Sequence, residues 1–474
     1  MQTPRAASTV YGGLGLLLLI GLAVPPPALA GGVVGTGTAA SCTTTALVTA
    51  MAGGGTVTFR CGPAPVTIPI TTSMQVVKQT AIDGGGLVTF SGNGQSNLFF
   101  EVQKGVQLTL TNLTTRDAGG SFAYNFGRLT VANCTLSNNT GPVALYNLGR
   151  LTVSKSTFAD NGQAILNDGT LAVEDCTFVG NFGTGFGGAI TTLRGKVTVS
   201  NSTFTRNGSA PGSAGAIFSD STRMTVTNSR FSNNRGLLSG AIYNRTGRVT
   251  VTNSTFTDNS NAGAVDGSFG SGGAIFSGDR LAVENCTFSN NHGGGLDGGA
   301  INNGGRLTVA NSTFADNRAA ASGGGAIYSG APLMIINSTL AGNGATEGGA
   351  TLYGSGSTLT LKNTIVANSA EGDNCGGPVA VVDGGHNLDS GSICGFSSAR
   401  GSLSNTDPHL DPAGLADNGG PTQTIAVEAG SPAINGGSAT TCARAPVRNY
   451  DQRALVRPGF GSASCTIGAY EFYP

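Results

Sequence analysis

Gly240–Asn259 reads GAIYNRTGRVTVTNSTFTDN, and its three phrases recur on either side of it. They are a small-residue phrase like GGAI, an alternating apolar phrase like RLTV, and N-[SC]-T-F-x-x-N. Aligned on the Asn that opens the third phrase, the rows begin at Asn133, Lys155, Asp175, Asn201, Asn228, Asn253, Asn285, Asn311, Asn337 and Asn363. Successive rows are 20 to 32 residues apart, a period that signifies a solenoid. In Arg248-Val249-Thr250-Val251-Thr252 the alternation is that of a strand with one buried face, Val249 and Val251 inward and the threonines outward. The following Asn breaks the strand, Ser-Thr-Phe begins a second with Phe256 inside, and Ala-Ile-Tyr supplies a third. Three short strands per coil, with no helical period, predict an all-β chain folded as a right-handed parallel β-helix.

Coils about 4.8 Å apart set equal positions over one another. An inner ladder of Phe158, Phe178, Phe204, Phe231, Phe256, Phe288 and Phe314 is therefore expected, with corner Asn ladders satisfying buried turn groups between coils. Length alone, 474 residues, would suggest several domains, but in a solenoid each coil packs only on its neighbours. Gly 77 and Trp 0 suit tight corners. With 11% charged residues and no net charge, nothing favours nucleic acid as a partner.

The expected organisation is a signal peptide over 1–30, an N-terminal cap with irregular first coils over 31–115, regular repeats over 116–369 and a C-terminal cap over 370–474. At the N-terminus, Arg5, the apolar run Leu14–Val24 and Ala28-Leu29-Ala30 follow the order of a secretory signal, with cleavage near Ala30. The other reading is a membrane anchor, for which the run is short and ends in three prolines. No other stretch could cross a membrane as a helix, so the mature chain is expected to be exported and to carry no transmembrane segment. Residues 42–52 are the best helix candidate of the mature chain, capped by Ser41 and stopped by Gly53, and placed to cover the first coil's open strand edge.

Nine cysteines in an exported chain point to disulfides. Cys134, Cys176 and Cys286 take the repeat position of Ser156, Ser202 and Ser254, and are expected to be buried free thiols. The other six form local pairs: Cys42–Cys61, Cys375–Cys394 and Cys442–Cys465.

Two regularities bear on function. Insertions are confined to one corner: the closing Asn is three residues from the next GGAI phrase at Asn161–Ala164 but fifteen at Asn259–Ala274. Loops on one edge can form a binding face, or can simply be tolerated there. The second regularity precedes the apolar phrase, where Arg128, Arg150, Lys196, Arg223, Arg248, Arg280 and Arg306 stand in seven of ten rows. Stacked like charges need anions, water or nearby acids such as Asp220 and Asp279. A groove for an anionic polysaccharide or cell-surface polymer is one reading; solvated arginines whose stems cover the coil edge is the plainer one.

β-Helices also carry polysaccharide lyases and hydrolases. Of the carboxylates, Glu174 and Glu284 are four coils apart, about 19 Å, too far to cooperate. Asp258 and Asp316 are the best catalytic pair, two coils apart at about 9.6 Å with Asn290 between, at the outer limit for a glycosidase. His292, His386 and His409 share no metal-ligand spacing, and there is no P-loop, nucleophile elbow or HExxH motif. No metal and no cofactor is implied. The outward Thr ladder that includes Thr225 and Thr250 is similar to ice-binding threonine arrays, but Ala172, Ala282 and Met334 interrupt it, and Thr is a good strand former anyway.

After Asn363 the repeat dissolves. Residues 371–474 carry GGHNLD (384–389), DPHLDP (407–412), LADNGGPTQT (415–424), GSPAINGG (430–437), DQR (451–453), RP (457–458) and TIGAYEF (466–472). In order and spacing these motifs resemble the choice-of-anchor Q domain of exported bacterial β-helix proteins. The repeats resemble those of polymorphic outer membrane proteins, and CTTTAL, GGTVTF and IDGGG resemble the opening of pectin-lyase-like β-helices. The resemblance implies a bacterial protein, secreted or held at the cell surface or outer membrane, with no assigned reaction. It also implies that His386, Asp389 and Asp451 are cap structure, not catalysis, with Phe460, Tyr470 and Phe472 available to cover the last coil. Tyr473-Pro474 follow the last motif directly, without LPxTG, a tail helix or a barrel, which speaks against covalent or barrel anchoring. The function expected is that of a structural or adhesive β-helix binding a glycan or cell-surface polymer along its side; the alternative is a polysaccharide lyase or glycoside hydrolase.

Overall fold

The computed structural model describes residues 31–95, 98–262, 271–295, 298–321, 323–346 and 350–474. The expected signal peptide lies outside them. The chain winds as a right-handed parallel β-helix. In the row that begins at Gly240 the strands are Ile242–Asn244, Gly247–Thr252, Thr255–Thr257 and Ser260–Asn261. The Arg-led and Phe-containing strands of all rows join one 27-stranded sheet; the Ile-containing strands form a 13-stranded sheet. Seven two-residue strands, Phe182–Gly183 to Gly344–Ala345, form a third. This fourth strand per coil was not expected from the sequence; two residues are too few to show a period.

Each row turns twice through the left-handed region, at Asn253 (φ 49°) and Asp258 (φ 55°) in this row. Asn and Asp enter that region at lower cost than most side chains, which is why the phrase breaks on them. Next to the second turn, the closing Asn of each FxxN lies buried in a continuous amide column. Asn234 Nδ2 donates back to Phe204 O at 2.9 Å and forward to Asn259 Oδ1 at 2.9 Å, while Asn234 N donates to the same Oδ1 at 3.1 Å. The pattern repeats from Asn139 to Asn343. One amide thus ties three coils and satisfies a buried carbonyl and N–H that no strand pairing reaches.

Inside, the seven expected phenylalanines form a column with ring centroids 4.7 to 4.8 Å apart and planes within 6° of parallel. The strand ladder, not ring preference, sets this spacing. The glycines of GGAI are explained by backbone approach: a Cβ on Gly240 would lie 2.2 Å from Gly273 O.

A buried hydroxyl column runs beside the first turn. Ser229 Oγ accepts from Ser202 N and donates to Thr227 O. Cys134, Cys176 and Cys286 occupy this column and keep its donor role, each Sγ reaching the carbonyl two residues back at 3.1 to 3.3 Å. All three are free and buried, and Cys42–Cys61, Cys375–Cys394 and Cys442–Cys465 are bonded.

At the N-terminal end a helix, Thr44–Met51, lies over the first coil with Leu47 in the core. Its cap is Thr43, whose Oγ1 accepts Ala46 N at 3.2 Å, not Ser41. Ser41 instead accepts Thr36 N and closes a preceding 3-10 turn, and the bridged Cys42 stays outside the helix. At the other end Asp373–Gly376, Val381–Asp383 and Leu388–Asp389 extend the sheets. The loop carrying Cys394 and Phe396 then closes the core. Beyond it the chain turns back. Gln452 bonds Thr287 Oγ1 and Thr313 Oγ1, Ser438 bonds Asn363, and Ala469 N bonds Thr339 Oγ1. These threonines are buried, whereas Thr157, Thr177, Thr203 and Thr255 at the same position upstream are not. Residues 407–474 therefore clasp the flank of the last rows. The aromatic cover expected over the last coil is not formed as such: Phe460 is 93% exposed, and Tyr470 and Phe472 pack with Ile365, Ala367 and Leu388.

Two outcomes follow. Asn234→Ala strands the buried Asn207 N–H and Phe204 carbonyl, and should cost about 3 kcal/mol or more in chemical denaturation; a loss under about 1 kcal/mol would contradict the amide column's role. Burial pushes the Cys134 and Cys176 thiols up to about 11 and Cys286 up to about 12. An alkylating reagent near neutral pH should label none of the three in the native protein and all three after unfolding, as counted by mass spectrometry.

Candidate functional site

The residues that precede the apolar phrase stand in register: Arg128 with Arg150, then Thr170, Lys196, Arg223, Arg248, Arg280 and Arg306. All seven cations are exposed. Among the described residues none of them forms an ion pair. The acids expected to neutralise them are engaged elsewhere: Asp220 pairs with Arg245 at 3.2 Å, and Asp279 accepts Gly247 N at 2.9 Å. In water the mutual repulsion of adjacent cations is about 1 kcal/mol or less, and long side chains can splay to reduce it. The sheet thus holds an unneutralised basic edge.

The structure adds a column that sequence reasoning missed. The outward residue of the Ile-containing strand is aromatic in seven rows: Tyr124, Tyr146, Phe218, Tyr243, Phe276, Tyr328 and Tyr353, of which Phe218 is buried under the Phe186 ring. Leu166, Thr191 and Asn302 interrupt it. Neighbouring rings meet at 4.7 to 5.6 Å. Tyr243 and Arg248 lie in the strands on either side of the turn Arg245–Thr246, so the aromatic column and the basic stripe belong to the two sheets that meet at this corner. The signal was available: the letter after the Ile or Leu of GAIY, GAIF and ALYN is a large ring in row after row.

Asp258 and Asp316 lie on a different corner, exposed in the left-handed turns that follow the Phe-containing strands. Two coils and Asn290 separate them, and the sheet sets His292 and Arg318 two residues on from Asn290 and Asp316. Burial pushes the Asp316 carboxyl up, against the pull of Arg318. His292 is paired in register with Arg318, His386 Nδ1 bonds Gly436 O, and His409 sits in a turn of the C-terminal block. No group of three or more His, Cys, Asp or Glu side chains suited to a metal occurs among the described residues.

The charged residues of GGHNLD, DQR, RP and TIGAYEF are internal, whereas Asp407 and Asp417 are exposed. Asp389 accepts Gly391 N and Cys394 N, and Asp383 accepts Gly385 N and Ser397 N, which fixes the closing loop. Asp451 holds Arg453 at 2.7 Å, Arg453 covers the Tyr470 ring, and Arg457 lies 3.4 Å from Glu471, all but Tyr470 buried. Burial pushes Arg457 down and Glu471 up, and their mutual attraction opposes both shifts. DQR, RP and TIGAYEF thus meet in one ionic knot that closes the clasp. Removing one partner would leave a buried unpaired charge.

The model of the family described as "Right handed beta helix region" matches residues 85–212 and 187–370. The chain belongs to this family. No curated protein and no solved structure matches it. Among the described residues no helix is long and apolar enough to cross a membrane.

Proposed function

We propose that this is a secreted or cell-surface bacterial β-helix that binds an anionic glycan or cell-surface polymer along one corner. The observation that carries this reading is the pairing of the unneutralised stripe with the aromatic column beside it. A linear polyanion with regularly spaced acidic groups can meet cations at sheet spacing. Sugar rings can lay their apolar C–H faces on the tyrosines and phenylalanines, releasing water from both. The C-terminal block we read as a choice-of-anchor Q domain, and the repeats as similar to those of polymorphic outer membrane proteins. The first rests on motif order and spacing, the second on GGAI followed by FxxN, and export rests on the leader-like residues 1–30.

The test is binding to polygalacturonate, alginate and teichoic acid at low and high ionic strength. Retention should fall steeply with salt. Arg223, Arg248 and Arg280 changed together to Gln should weaken binding roughly 30-fold, from about 2 kcal/mol summed over three exposed contacts. Unchanged retention would remove the stripe as the binding surface. Chain cleavage abolished by Asp258→Ala or Asp316→Ala would replace this reading with a polysaccharide lyase or glycoside hydrolase.

A further inference from the structure

On the corner away from the stripe, beside the two-residue strands, lies a half-open groove of about 500 Å³. Its lining includes the apolar Phe182, Pro211 and Leu237 and the polar Arg206, Asn233 and Arg235. The volume is that of a small-molecule site. Two features make it unlike the same corner in other rows.

The first is Arg206. At the equivalent turn the other rows place Asn138, Asp160, Gly180, Asn233, Asp258, Asn290, Asp316, Gly342 and Asn368. Those residue types tolerate the left-handed backbone. Arg206 alone is neither Asn, Asp nor Gly, yet it adopts φ 53°. A long side chain held there costs stability, and such costs gather at ligand sites. Lys155 makes a similar exchange on the neighbouring turn (φ 48°) and does not line this groove, so strain alone does not define a site; strain and groove together do.

The second is the ring of Phe182. It is 54% exposed and reaches over the next row, where a Cβ on Gly208 would stand 2.8 Å from Phe182 Cδ2. In register the next position after Gly208 is Arg235. An exposed aromatic platform, an empty glycine step and a guanidinium thus follow one another in three successive coils. Among the described residues neither Arg206 nor Arg235 forms an ion pair.

We infer that this groove binds a single uronate ring at the end or side of an acidic oligosaccharide, its apolar face on Phe182 and its carboxylate between Arg206 and Arg235. A carboxylate with a flat apolar face is the chemistry the walls select. Choosing a sugar over an aromatic acid rests on the glycan reading above, and the test separates the two.

Trigalacturonate, the neutral galactose trimer and benzoate are titrated into the full-length protein and followed by calorimetry. Trigalacturonate should bind saturably, the neutral trimer and benzoate at least about tenfold more weakly. Phe182→Ala, Gly208→Ala and Arg235→Gln should each weaken it about tenfold, a loss typical of an anchoring contact. Arg206→Asn gives the sharpest readout: binding should fall while the melting temperature rises, because strain is relieved as the cation is lost. Equal binding of the neutral trimer or of benzoate, no saturable binding, or no effect of Arg206→Asn on affinity would each overturn the proposal. Trimer binding lost with the stripe and kept by the groove variants would also overturn it while leaving the stripe's role standing.

Discussion

A buried carboxamide at every second corner is the constraint on which the rest depends. Once the closing Asn of each row donates to the coil before and to the coil after, coils cannot slide past one another without stranding polar groups in the core. The Phe column, the hydroxyl and thiol column and the GGAI glycines inherit their register from it. The outside inherits it too. A residue type repeated at one position becomes a stripe, and a change at one position becomes a local site. The arginine edge is the first kind of surface and the groove at Arg206 the second.

Repetition creates a problem at the ends, where strand edges stay unpaired. The N-terminal helix answers it with Leu47 over the first coil. At the other end the loop through Cys394 and Phe396 answers it, tied back to Cys375. The remaining C-terminal residues do something else: they lie along the flank and bury Thr287, Thr313 and Thr339. Residues upstream at the same position remain open to solvent. One side of the rod is therefore divided lengthwise into a clasped half and a free half, while the corner with the arginines and aromatic rings runs through both.

What could be read from the chain was whatever repeats. Phe204, Phe231 and Phe256 announce their column because period and residue type coincide, and Cys134, Cys176 and Cys286 announce their burial by standing where serine stands. The helix cap was misplaced by two residues because Ser41 and Thr43 offer the same hydroxyl, and that of Ser41 is taken up by Thr36 N. The fold-back of the C-terminal block was not legible, since its contacts join residues such as Gln452 and Thr287 that share no pattern. The basic stripe was visible in the letters, but that Asp220 and Asp279 turn to other partners needed coordinates. The groove at Phe182 was hidden because it is a departure from the repeat, and a search for likeness averages departures away.

The central claim is that rows are interchangeable units held in register by their neighbours. Ser229 and Ser254, 25 residues apart, occupy the same place in successive coils. Excising Ser229–Asn253 joins Asn228 to Ser254 and restores every column one coil shorter. Excising only Ser229–Gly240 removes about half a coil and throws each column out of phase. Circular dichroism with thermal melting should find the first variant folded, β-rich and cooperative, and the second unfolded or aggregated. Equal tolerance of both deletions, or collapse of the first, would contradict the stacked-row architecture.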